Sequence, residues 1–155
     1  VGIPKTIDND LNGTEFTIGF YTAVTTAVEA LDKLHTTAES HHRIMVVEVM
    51  GRNAGWIALF AGLGGDADVI LLPEIPFDLN KVGTYLNDLY HSRKKYSIVV
   101  VAEGAKPVGG DVVVSKIIED SPEKIRLGGI PSAMLVKLTM SANMTVTSAN
   151  PSAMV

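Results

Sequence analysis

Hydrophobic positions along the chain alternate between two periods. Val24, Ala27, Val28, Leu31 and Leu34 recur at helical spacing, with Glu29, Asp32 and Lys33 on the opposite side, and predict a helix over 17–35. The polar run His35–Arg43 reads as a loop. Ile44 to Val49 is a short β-branched apolar run, the signature of a strand buried on both faces. A helix over 54–63 is closed by Gly64-Gly65, and a second buried strand over 69–72 is stopped by Pro73. Val82, Leu86, Leu89 and Tyr90 share one face of a helix over 79–92, and a third apolar strand covers 97–102.

Strand and helix thus alternate, which predicts an α/β fold with a mainly parallel sheet. Val112 to Ile118 fits a strand or a helix start, and a helix is expected from Gly128 to about Leu138. The stretch 139–155, rich in Ser, Thr, Ala and Asn, shows no period. There is no internal repeat. The expected division is one α/β region over 1–138 and an irregular C-terminal segment over 139–155. Val1 opens inside what reads as a loop, so the sequence is expected to be an internal piece of a longer protein.

Composition narrows the classes. Apolar residues are 46% and aromatics 6%, enough for a core built from Val, Ile, Leu, Ala and Met. The net charge of −4 and the lack of a basic stripe argue against nucleic acid. No apolar run reaches the ~18 residues of a membrane span. The absence of cysteine excludes disulfides and thiolate metal sites, which leaves a reducing cytoplasm as the expected compartment.

Ligands of open parallel sheets bind beyond the carboxyl ends of the strands. Three places qualify: Met50-Gly51-Arg52, Pro73-Glu74 and Glu103-Gly104. At the first, a glycine turn opens a helix whose backbone amides could bind an anion beside the Arg52 guanidinium; the alternative is a plain turn with a solvated cation. Glu103 at a strand end suits sugar hydroxyls, against the alternative of an idle loop acid. Glu48, inside an apolar strand, reads as structural.

The segment Pro4-Lys5-Thr6-Ile7-Asp8-Asn9-Asp10 carries two carboxylates that share a side in an extended chain. Such a pair can divide labour, one accepting a proton and the other holding Mg²⁺. Thr6 adds a hydroxyl and Lys5 a cation for phosphate oxygens. The competing reading is an Asx turn that caps the following helix. A calcium loop is excluded by Gly19 where the closing Glu belongs and by the lack of room for a preceding helix. The three His and one Glu between His35 and His42 lack the i, i+4 pairing of zinc helices; a loop presenting Arg43 to a phosphate fits better.

Taken together, Pro4–Asp10, Thr36-Thr37-Ala38-Glu39-Ser40-His41-His42-Arg43, Val46–Arg52 and Ala102-Glu103-Gly104 resemble the 6-phosphofructokinases in order and spacing, from Val1 to about Ile130. The resemblance implies an ATP-dependent phosphotransferase of glycolysis acting on the C1 hydroxyl of fructose 6-phosphate. By position, Asp8 is similar to the general base, Asp10 to the carboxylate that orders Mg²⁺, and Thr6 to a ligand of the transferring phosphoryl group. Ile7 belongs to the same substrate segment. Met50, Gly51 and Arg52 resemble the sugar-phosphate loop, with Arg52 also steadying the transferred group, and Glu103 resembles the acid on the sugar hydroxyls. Arg43 resembles the arginine that reaches a neighbouring subunit's 6-phosphate, which implies a homo-oligomer. Lys5 is similar to a donor-phosphate ligand of the pyrophosphate-dependent branch, so pyrophosphate is the alternative donor. The family's glycine-rich donor segment precedes Val1, and the chain alone is expected to be inactive. Its Arg and His after Leu127-Gly128-Gly129-Ile130 have no counterpart in Met144–Pro151, which leaves a non-catalytic remnant as a further alternative.

Overall fold

The computed structural model describes residues 1–92, 94–111, 114–117, 125–127 and 146–149. Two short strands come first, β1 (Lys5–Thr6) and β2 (Ile18–Gly19), paired in parallel. Helix α1 (Phe20–His41) leads into β3 (Ile44–Val49), then α2 (Trp56–Gly64), β4 (Val69–Leu71), α3 (Leu79–Ser92) and β5 (Ser97–Ala102). A small antiparallel pair, β6 (Val114–Ile117) and β7 (Ile125–Leu127), precedes β8 (Val146–Ala149).

The central sheet has the order β4-β5-β3-β8, with every pair parallel. This is the expected α/β architecture, with helices on both faces. Alternate residues of β5 explain why its sequence is continuously apolar. Ile98, Val100 and Ala102 join the core under α1 and α2, whereas Val99 and Val101 face the core under α3. All five are fully buried. Fully burying a Val or Ile side chain contributes roughly 1.5–3 kcal/mol, so β5 anchors both cores.

Helix α1 buries Phe20, Ala27, Leu31 and Ala38 along one stripe. Its end corrects the sequence reading: residues 36–41 are helical, not a loop. Thr, Ser and His are weak helix formers, but fully buried Ala38 keeps the stripe running, and tertiary packing overrides propensity. His42 then turns left-handed (φ 51°), and Arg43 N–H closes the helix on the Ala38 carbonyl at 3.0 Å. The Val114–Ile117 segment resolves as strand. Thr147 and its neighbours form β8 within the stretch that showed no period, paired with Ile44–Val47. The helix expected over 128–138 lies outside the described residues, as does the Met144–Pro151 stretch apart from β8.

The register positions the site. β3 and β5 align from Ile44 with Ser97 through Val49 with Ala102, so both strands end at the same level. β4 lies on the other side of β5, with Leu71 opposite Val101. The turns that follow the three strands therefore emerge side by side.

Candidate active site

Beyond β3 and β5 the ladder continues by one bond, from Glu103 N–H to the Val49 carbonyl at 2.9 Å. Glu103 then turns its carboxylate onto the neighbouring turn, where Oε1 accepts the Arg52 amide at 2.9 Å. Gly104 presses its backbone on the same turn; a Cβ there would overlap the Arg52 carbonyl oxygen. Gly51 takes φ 136°, and Ala54 N–H donates to its carbonyl at 2.8 Å. Arg52 itself is left-handed (φ 51°) and exposed. A non-glycine residue held there by its neighbours is characteristic of functional loops.

From the third strand end, Glu74 Oε1 accepts the Gly55 amide at the start of α2 at 2.7 Å. A carboxylate at a helix N-terminus is favourable, and Gly55 leaves it room, since a Cβ there would stand 2.6 Å from Glu74 Oε2. The amides of Arg52, Ala54 and Gly55, at and before the N-cap of α2, thus have protein acceptors.

The paired-carboxylate segment follows β1. Thr6 Oγ1 accepts the Asp8 amide at 3.2 Å, and Asn9 is left-handed (φ 54°). Asn9 Oδ1 accepts Thr17 N–H at 2.9 Å, and its Nδ2 donates to the Glu15 carbonyl at 3.2 Å. Thr17, 4% exposed, donates its hydroxyl to the Thr6 carbonyl at 2.7 Å. Neither Asp8 nor Asp10 caps α1, whose N-cap is Gly19 without a side-chain bond. The loop is instead held by Asn9 and Thr17.

Electrostatics joins the two halves. The Asp8 carboxyl lies above its ordinary range, first because partial burial disfavours its charge, then because Asp10 and Glu103 are nearby negative charges; Arg52 pulls the other way. Asp10, Glu103 and Arg52 thus all act on Asp8, the latter two from far along the sequence. Met50 lies beside them, half-exposed, and Lys5 is exposed on β1. Ile7 is half-buried, with its side chain 3.4 Å from the Cβ position of Gly19.

Arg43 is not brought to this site. It precedes β3, at the opposite end of a six-residue strand, about 20 Å from Arg52 by strand rise. Sequence reasoning also passed over Asn9 and Thr17 as site-forming residues, and it marked Pro73-Glu74 as a strand end without giving Glu74 a partner. Asn between two Asp is a signal for a left-handed turn, whereas nothing local marks Thr17, and the Glu74–Gly55 bond spans 19 residues.

Among the described residues, no group of three or more His, Cys, Asp or Glu could hold a metal ion alone. The donor set nevertheless fits Mg²⁺. That ion keeps most of its water and binds through one or two carboxylates plus substrate phosphates, and the like charges that raise Asp8 are what a bound cation would relieve.

Comparison with known proteins gives a consistent picture. Residues 1–144 match the family profile described as Phosphofructokinase. Over 138 residues the chain is 62% identical to ATP-dependent 6-phosphofructokinase 2 of Clostridium perfringens, covering 89% of this chain and 38% of that protein. It is 56% identical over 131 residues to the pyrophosphate–fructose 6-phosphate 1-phosphotransferase of Streptomyces coelicolor, covering 84% and 38%. The solved pyrophosphate-dependent phosphofructokinase of Nitrosospira multiformis superposes with a TM-score of 0.79 at 26% identity, over 98% of this chain and 37% of that one. The sequence spans under two fifths of the curated relatives' length.

Proposed function

This chain belongs to the phosphofructokinase family, and on that premise we propose that it carries the sugar-phosphate half of an ATP-dependent 6-phosphofructokinase active site. The observation that carries the reading is the convergence of Asp8, Asp10, Arg52 and Glu103 at the carboxyl ends of β3 and β5.

Phosphoryl transfer depends on in-line positioning and charge neutralisation. Asp8 accepts the proton of the C1 hydroxyl of fructose 6-phosphate. The new bond joins that oxygen to the donor's terminal phosphorus, and the bridging P–O bond breaks to release ADP. A carboxyl raised above its ordinary range is a better proton acceptor than an ordinary carboxylate. Arg52 neutralises charge on the transferring group through charge-assisted hydrogen bonds. Glu103, with Oε1 on the Arg52 amide, offers Oε2 to sugar hydroxyls and keeps that turn in place. Thr6, Ile7, Met50 and Gly51 line the same substrate edge. Mg²⁺, held by Asp10, would supply charge neutralisation on the donor phosphates. Arg43 serves the 6-phosphate of a neighbouring copy in a homo-oligomer. A cytoplasmic location goes with this reading; among the described residues no helix is long and apolar enough to cross a membrane.

One observation favours a second donor. Lys5 is exposed immediately before Thr6, where its ammonium can meet a donor's phosphates, and pyrophosphate has no nucleoside to anchor it. The test is formation of fructose 1,6-bisphosphate by the full-length protein with Mg²⁺ and either donor, before and after Lys5→Gly. Turnover with ATP supports the main reading. A Lys5→Gly loss at least tenfold larger with pyrophosphate than with ATP assigns Lys5 to the donor site. Equal losses make Lys5 a support of the loop, and no product with either donor rejects a transferase.

A further inference from the structure

We propose that Asn9 is a positioning residue for phosphoryl transfer: its amide locks the loop that carries Asp8 and Asp10 onto the segment entering α1. The inference rests on the reading of Asp8 as the base, and it concerns a residue that does not itself touch substrate.

Three features converge. Asn9 lies between the two carboxylate residues in a left-handed conformation (φ 54°), which Asn tolerates better than other side chains with a Cβ. Both ends of its amide are used, Oδ1 on Thr17 N–H and Nδ2 on the Glu15 carbonyl. Thr17, buried, reaches back to the Thr6 carbonyl. The chain is thus pinned on both sides of Asp8, through backbone groups that do not compete for its carboxylate. Two like charges in one short loop repel, and Asp8 also meets Glu103. Without a clamp, that repulsion would splay the loop and move the base from the hydroxyl it deprotonates. A misplacement of about 1 Å can cost on the order of 10²-fold in rate.

The residue type is specific. Gly keeps the conformation and loses both bonds. Asp keeps the acceptor for Thr17 N–H, loses the donor to Glu15, and adds a third carboxylate next to Asp8.

The test compares parent, Asn9→Gly and Asn9→Asp in the full-length protein. The measurements are kcat and KM for fructose 6-phosphate, with melting curves that fix the folded fraction. We expect Asn9→Gly to lower kcat at least tenfold per folded molecule, with KM within about threefold. Asn9→Asp, which loses the donor to the Glu15 carbonyl, should also lower kcat with KM within about threefold. Should Asn9→Gly fail to fold, the same split of kcat from KM in Asn9→Asp carries the test. Parent-like kcat in both variants, or losses that match the loss of folded protein, overturn the inference while leaving the transferase reading intact. A parent without transferase activity overturns both.

Discussion

At the scale of the residue, the charge of Asp8 matters most. Its carboxyl is raised by partial burial, and then by Asp10 and Glu103, against the opposing pull of Arg52. The sign for stability follows. A carboxyl raised in the folded state contributes its full stability below the ordinary carboxylate range. That contribution is lost as the pH rises through the raised value, because folding then holds a charge in an unfavourable place. Asp8→Asn removes the charge and keeps the shape. Its melting temperature should exceed the parent's at pH 7, with the gap closing as the pH falls to about 4. Water screens a half-buried group, so the rise is modest. A lower melting temperature at pH 7 would mean that Asp8 stabilises the loop. Gain of stability with loss of turnover is the pattern of a site held in strain for function. The residue types here were legible in the sequence, since Asp8, Asp10, Arg52 and Glu103 stand out by chemistry. The left-handed backbone of Arg52 was not, because it goes with a bond to Glu103 that arises only on folding, and neither was the bond from Thr17 to Asn9.

At the scale of the element, the in-register ladder of β3 with β5 makes the site possible, and Gly104 makes it tight. A Cβ at Gly104 meets the Arg52 carbonyl, with the Pro73 ring 3.4 Å away. Gly104→Ala should displace the turn and cost about 1–3 kcal/mol of stability as overpacking does. KM for fructose 6-phosphate should rise roughly tenfold or more, as a charge-assisted contact from Arg52 is weakened. Denaturant melts and steady-state kinetics check the two effects, and parent-like values would show that the turn has room to relax. The buried strands were legible because they are apolar on both faces, and Ile44–Val49 and Ser97–Ala102 fall where the pattern put them. The amphipathic face of Leu79–Ser92 was equally plain. The last turns of α1 were not, because a His, Thr and Ser stretch is helical only while Ala38 is packed. β8 was hidden for a similar reason: a short Val-Thr-Ser-Ala run becomes a strand only by pairing with β3.

At the scale of the whole molecule, the sheet separates Arg43 from the other candidate residues by the full length of β3. On the proposed reading, Arg43 serves the sugar phosphate bound to a neighbouring copy. Mixed oligomers made from Asp8→Asn and Arg43→Ala subunits, each nearly inactive alone, should therefore regain up to about a quarter of parent turnover, because one kind of shared site receives both intact residues in a dimeric arrangement. No recovery on mixing would place Arg43 outside the site. On the proposed reading Asp8 is the base and Met50-Gly51-Arg52 the sugar-phosphate turn, and the first point to test is that Asp8 takes the proton. The direct measurement is kcat and KM of full-length Asp8→Asn with fructose 6-phosphate and saturating donor at pH 7–8. Turnover should fall by about 10² to 10⁴, the worth of a positioned base, with KM changed by only a few-fold. Turnover within a few-fold of the parent would contradict Asp8 as the base.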